Sequence, residues 1–138
     1  MNALRYLLDT NILSVLVRQP DHDLTKRIRQ VGENQICTSI VVAAELRYGG
    51  RKSGSKSLQE AIGHVLSAIC VLDLDEPTDR CYADLRHQLA KAGNMIGPND
   101  LWIAAHALSR DLIVVTANTR AFSRVPGLLV ENWINGSL

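Results

Sequence analysis

Three carboxylates in this sequence stand in settings from which a fold could bring them together. Asp9 closes the apolar run Leu4-Arg5-Tyr6-Leu7-Leu8 and is followed by Thr10 and Asn11. Glu45 shares a helical stripe with Val41 and Val42, and the positions three and four residues beyond it hold Tyr48 and Gly49 rather than a lysine or arginine. Asp100 follows Gly97-Pro98-Asn99, a helix start whose free amides and dipole favour negative charge. Each alone has an ordinary explanation: a helix cap for Asp9 or Asn11, a stripe-edge side chain reaching water for Glu45, a first-turn acid for Asp100. Converging, they would repel and raise one another's pKa values unless a divalent cation sat among them. Oxygen ligands without His or Cys point to Mg²⁺ or Mn²⁺, and such a centre suits phosphodiester hydrolysis by a metal-activated water.

The elements that must position these acids follow from the pattern of apolar residues. Leu4 to Leu8 reads as a buried strand ending on Asp9, and Ile12 to Val17 as a short helix stopped near Pro20. Asp21 is expected to cap a helix to about Val31, with Leu24, Ile28 and Val31 on one face. Gln35 to Thr38 reads as a second strand, and Ser39 as the cap of a helix from Ile40 to Tyr48 that Gly49-Gly50 ends. A loop or helix approach over Arg51 to Ser57 leads to a helix from Leu58 to Ile69, a strand over Cys70 to Leu74, and a helix from Thr78 to Ala90 introduced by Pro77. After the Asp100 helix, Asp111 to Thr116 is a β-branched strand ending on Thr116-Ala117-Asn118, and Leu128 to Glu131 is the last strand. Helices alternating with short apolar strands predict one α/β domain over 1–138, with a parallel sheet of about four to five strands flanked by α-helices. In that topology the mouth of the sheet can receive all three acids.

Composition narrows the chemistry. A chain of 138 residues with no long apolar run or amino-terminal signal pattern is expected to be soluble and cytoplasmic, with no membrane partner. Cys37, Cys70 and Cys81 lack metal-ligand spacing and are expected to be buried free thiols, and the four histidines show no zinc-like pattern. A zinc site and a Ser-His hydrolase are disfavoured, and His106, four residues from Trp102, reads as a packed helix histidine. A net charge of +1 is modest, but acids collected in one pocket would leave the remaining surface more basic. Arg47, Arg51, Lys52, Lys56, Arg120 and Arg124 are the candidates for such a rim.

Four segments in order carry a resemblance: Leu7-Leu8-Asp9-Thr10-Asn11-Ile12-Leu13-Ser14, Val42-Ala43-Ala44-Glu45-Leu46-Arg47-Tyr48-Gly49, Ile96-Gly97-Pro98-Asn99-Asp100-Leu101-Trp102-Ile103-Ala104-Ala105-His106-Ala107, and Val114-Val115-Thr116-Ala117-Asn118 through Phe122. Together they resemble a PIN-domain ribonuclease, and nearly the whole chain is similar to the VapC toxins of bacterial toxin-antitoxin pairs. The ending Phe122 to Leu128 and Val130-Glu131-Asn132-Trp133 is similar to the subgroup that cuts initiator tRNA. The resemblance implies a magnesium-dependent endoribonuclease that arrests translation, a cognate VapB-type antitoxin, a homodimer and a toxin-antitoxin hetero-oligomer. It implies Asp9, Glu45 and Asp100 as catalytic metal ligands, with Thr10, Asn11, Thr116 and Asn118 in support. Arg47, Arg51, Lys52, Arg120 and Arg124 would grip RNA. Family members often carry a fourth acid near the Thr116 loop; here Asn118 stands at one such place and Ala121 precedes Phe122, which bears on the number of metals.

Two rivals have their own signatures. A phosphatase of the haloacid-dehalogenase type also begins with an apolar strand ending in Asp-x-Asp, but position 11 is Asn11, so its general acid is missing. A catalytically silent PIN fold that only binds RNA or protein has no need of three mutually repelling acids. For Tyr48 and Trp102, at helical spacing, core packing is the expectation ahead of stacking on RNA.

Overall fold

The computed structural model describes residues 3–134, so the two ends of the expected 1–138 domain lie outside the described residues. Five strands form one parallel sheet: β1 (Tyr6–Leu8), β2 (Ile36–Ser39), β3 (Cys70–Leu72), β4 (Ile113–Val115) and β5 (Val130–Glu131), in the order β3-β2-β1-β4-β5. Among the described residues it is flanked by α1 (Thr10–Arg18), α2 (Asp23–Val31), α3 (Ile40–Ser53), α4 (Lys56–Ala68), α5 (Thr78–Lys91), α6 (Pro98–Ser109) and α7 (Thr119–Phe122). The expected α/β architecture is therefore present. Among the described residues no helix is long and apolar enough to cross a membrane.

β1 is central because it is apolar on both faces. Leu7 and Leu8 are fully buried, with Leu7 in register with Cys37 on one side and Val114 on the other. Each fully buried leucine is worth roughly 1.5–3 kcal/mol, which makes burial a strong determinant of register in strands this short. From β1 the chain moves outward through β2 and β3, then returns across the sheet to β4 and β5. The order thus reverses between β1 and β4. Open parallel sheets form their ligand crevice at such a switch point, outside the carboxyl ends of the strands. Asp9 and Thr116 follow β1 and β4 directly, and both are buried there.

Several local expectations need correction. α3 does not end at Gly49-Gly50 but runs to Ser53 and stops at Gly54, whose φ of 70° is left-handed. A Cβ on Gly50 would lie 2.9 Å from Ile62 Cδ1, so the missing side chain lets α3 and α4 approach instead of breaking the helix. α2 is capped by His22, whose Nδ1 accepts the Leu24 amide at 3.0 Å, and not by Asp21. β3 stops at Leu72, short of Leu74, and the short helix α7 was not anticipated. Only Cys37 is a buried thiol; Cys70 is exposed on the edge strand β3, and Cys81 is half-buried on α5, all three being free. Burial pushes the Cys37 thiol up to about 12.

Candidate active site

The Asp9 amide still bonds the Val115 carbonyl at 2.9 Å, so the residue is fixed between β1 and β4 as α1 begins. Its Oδ1 accepts the Thr10 amide at 2.8 Å, which caps α1. Its Oδ2 accepts the Thr116 hydroxyl at 2.7 Å and the Asn11 side-chain amide at 3.3 Å. The capping and the chemical readings of Asp9 are therefore compatible in one side chain. The loop after β4 is stitched to the same place: Ala117 N–H donates to Asn11 Oδ1 at 2.9 Å, and Asn118 N–H to Thr116 Oγ1 at 2.9 Å.

Glu45 reaches this point from α3, whose start is set by Ser39 accepting the Val41 amide at 3.1 Å. It is half-buried at the stripe edge, beside buried Val42 and Leu46. The Thr10 hydroxyl donates to Oε1, and Asn99 Nδ2 donates to Oε2 at 3.0 Å. Asp100 arrives on the first turn of α6, which Pro98 opens, and its Oδ2 accepts Asn118 Nδ2 at 3.1 Å. Three carboxylates from three elements thus lie at the switch point, hydrogen-bonded by Thr10, Asn11, Asn99, Thr116 and Asn118. Asn99 was missed as a site residue; its place beside Asp100 in Gly97-Pro98-Asn99-Asp100 was the available signal.

Charge accumulates here without compensation. Asp9, 3 % exposed, has its carboxyl raised chiefly by burial; the Thr116 and Thr10 hydrogen bonds oppose this, and the Glu45 charge adds to it. Asp100 is pushed up to about 6 by burial, then by the charges of Asp9 and Glu45, against the Asn118 hydrogen bond. Among the described residues none of the three is ion-paired with a lysine or arginine.

Among the described residues no three acids close into a preformed cage for a metal. Mg²⁺ does not require one, because it keeps several waters and takes one or two carboxylates. The donor set here fits it: oxygens only, an acid raised by burial and then by its neighbours' charge, and carboxylate lone pairs beyond those that the neutral donors occupy.

The remaining candidates are less concentrated. Arg47 and Arg51 share a hollow with Gln59 and Ile62 on the α3–α4 side, and Lys52 is exposed nearby on α3. Arg120 is exposed on α7, while Arg124 Nη1 donates to the Met95 carbonyl at 2.9 Å. His106 is buried and bonded to Ser39 Oγ at 2.8 Å, a packed histidine whose pKa burial lowers. Core packing holds for neither aromatic: Trp102 is half-buried, stacked on Tyr82 with 3.8 Å between ring centres at the rim of an open groove, and Tyr48 is exposed.

The family model described as the PIN domain matches residues 6–128. The chain is 37% identical over 132 residues to "Ribonuclease VapC2" of Haemophilus influenzae, covering 95% of this chain and 99% of the relative. It is 39% identical over 131 residues to "tRNA(fMet)-specific endonuclease VapC" of Shigella flexneri, covering 94% and 98%. The structure is similar to that of VapBC2 from Rickettsia felis bound to a DNA fragment from its promoter, with a TM-score of 0.88, 34% identity, and coverage of 94% of this chain and 99% of that one.

Proposed function

This chain belongs to the PIN-domain family, in its VapC ribonuclease branch, and on that premise we propose that it is the toxin of a VapBC-type pair, an endoribonuclease that uses Mg²⁺ to cut tRNA. The observation that carries the reading is the gathering of Asp9, Glu45 and Asp100 at the β1/β4 switch point, held among the described residues by neutral donors. These three residues would hold Mg²⁺, or Mn²⁺ in its place. When bound, the metal would lower the pKa of a water and offset charge on the phosphoryl oxygens.

The chain's own residues do the rest by position. Thr116 and the Thr10 amide hold both Asp9 oxygens in fixed directions. The Thr10 hydroxyl and Asn99 turn the Glu45 carboxylate toward the same point, and Asn118 does so for Asp100. Because hydroxyls and amides carry no net charge, they orient the acids without neutralising them. Thr10 thereby links two of the three acids, donating its amide to Asp9 and its hydroxyl to Glu45.

The name of the Shigella relative and the similarity of the chain's ending to that subgroup favour initiator tRNA, at its anticodon region, as the target and translation arrest as the outcome. A VapB-type antitoxin is the expected partner, within a hetero-oligomer built on a toxin dimer. The test is antitoxin-free protein incubated with total bacterial RNA in Mg²⁺ or EDTA, beside Asp9→Asn, with new RNA ends mapped by sequencing. Discrete cuts in the initiator tRNA anticodon region that need both the metal and Asp9 are expected. A folded, Mg²⁺-supplied protein that cuts nothing would instead be a silent PIN-fold binding module.

A further inference from the structure

α6 carries Asp100 in its first turn and, nearly two turns further on, a histidine at 0% exposure. A buried imidazole costs more than a leucine of similar volume unless it is hydrogen-bonded. His106 has such a bond: Nδ1 lies 2.8 Å from Ser39 Oγ, and that oxygen also accepts the Val41 amide at 3.1 Å as the cap of α3. Ser39 is itself fully buried and is the last residue of β2. At the other end of the same helix pair, Asn99 Nδ2 donates to Glu45 Oε2 at 3.0 Å. The chain rises from Ser39 to Glu45 along α3 while their partners fall from His106 to Asn99 along α6, so the two helices run antiparallel with one hydrogen bond at each end. Among the described residues no other hydrogen bond joins α3 and its cap to α6.

We infer that the Ser39–His106 bond sets the axial register of α6 against α3, which makes His106 a positioning residue for Glu45 and Asp100; the inference rests on the metal-dependent ribonuclease reading above. Apolar packing alone holds such a register weakly here. The two helices pack against one another, and their buried side chains include Ala43, Ala104, Ala105 and Ala107, short groups that interdigitate little. A slip of one residue moves a helix by about 1.5 Å along its axis, and it would carry Asn99 and Asp100 together away from Glu45. The Nδ1–Oγ contact of 2.8 Å does not survive a displacement of that size. Asn99 is the weaker tie, because its side chain is exposed, whereas Ser39 and His106 are both closed off from water, where a hydrogen bond is stronger and its loss costlier. Glu45 and Asp100 reach the switch point from these two helices, so their mutual placement follows the register. Mg²⁺ tolerates little departure from octahedral geometry, which makes its affinity a sensitive gauge of that placement.

The test is calorimetric titration of Mg²⁺ into metal-free, antitoxin-free protein, well below its melting temperature, for the wild type, His106→Leu, His106→Asn and Ser39→Ala. His106→Leu keeps the buried volume and removes the bond, whereas His106→Asn returns a polar atom to the place of Nδ1. His106→Leu and Ser39→Ala should bind Mg²⁺ about 3- to 10-fold more weakly, a smaller loss than that typical of a group bonded to a metal ligand itself, and His106→Asn should stay within about twofold of the wild type. Leu24→Ala, a cavity in α2, which carries none of the three acids, is the stability control: its melting temperature should fall and its Mg²⁺ affinity should not. RNA cleavage at subsaturating Mg²⁺ should fall in step with the affinity, with KM for RNA unchanged. Wild-type Mg²⁺ affinity in either His106→Leu or Ser39→Ala overturns the inference, as does an equal loss in His106→Asn or in Leu24→Ala. If His106→Leu does not fold, Ser39→Ala and His106→Asn decide by the same criteria. Wild-type protein that neither binds Mg²⁺ nor cuts RNA would sink the ribonuclease reading and this inference with it. Wild-type protein that binds Mg²⁺ and cuts RNA, beside variants of equal affinity, would sink this inference alone.

Discussion

Three carboxylates away from the switch point and the three at it are held in opposite ways. Asp75, Glu76 and Glu131 each face an arginine: Arg110 at 2.9 Å, Arg80 at 3.0 Å and Arg27 at 3.9 Å. Asp9, Glu45 and Asp100 receive hydroxyl and amide donors and, among the described residues, no such cation. An arginine partner cancels charge as well as fixing geometry, whereas Thr and Asn donors fix geometry alone. The difference is what the proposed Mg²⁺ site requires: negative charge oriented at the switch point and, among the described residues, not paired by a cation of the chain.

Breaking the contrast at its strongest point should have the largest effect. Asp9→Asn keeps a cap-competent side chain but removes the most buried charge, and RNA cleavage should fall by about 10³-fold or more, with the fold intact by circular dichroism. Making the site resemble the periphery comes next. Asn118→Arg would give Asp100 the cation that Asp75 has in Arg110, and metal-dependent cleavage should fall by roughly 10- to 100-fold at a fixed, subsaturating Mg²⁺ concentration. The metal-free protein should at the same time melt at a higher temperature, because repulsion is relieved.

A smaller effect concerns pH. The folded-state pKa of Asp100 is raised from 3.8 to about 6, so between those values the folded protein binds more protons than the unfolded chain. Its contribution to stability is fully present below 3.8 and is lost as pH rises through about 6. In EDTA the melting temperature should therefore carry a downward step of a few degrees across that window, measured against Asp100→Asn, which should lack it; Mg²⁺ should flatten the step in the wild type. The smallest effect belongs to the periphery. Arg80→Ala breaks an exposed pair between α5 and the turn before it and should cost about 0.2–1 kcal/mol in denaturant unfolding, with RNA cleavage unchanged.

The parts of this molecule that could be read without coordinates are those in which local pattern and tertiary role agree. The β1 run ending on Asp9, and Asp100 behind Gly97-Pro98, are legible because apolar periodicity and helix-start chemistry place them whatever surrounds them. Glu45 was legible from its stripe and its lack of a cation one turn away. Gly49-Gly50 misled because glycine's local preference for ending a helix was overridden by close packing of α4 against α3. The exposure of Cys70 depends on strand order, which no local pattern carries. Asn99 went unnoticed because an amide next to an acid is unremarkable until another element, here α3, brings Glu45 within 3.0 Å.

The most direct measurement is calorimetric titration of Mg²⁺ into the metal-free, antitoxin-free protein at neutral pH, beside Asp9→Asn and Asp100→Asn. Saturable binding in the wild type that weakens at least tenfold in each variant is expected, at about 1.4 kcal/mol per tenfold change. Mg²⁺ binding of equal affinity in all three proteins, or none in a wild type that still cuts RNA in EDTA, would contradict the assignment of these acids to a cation.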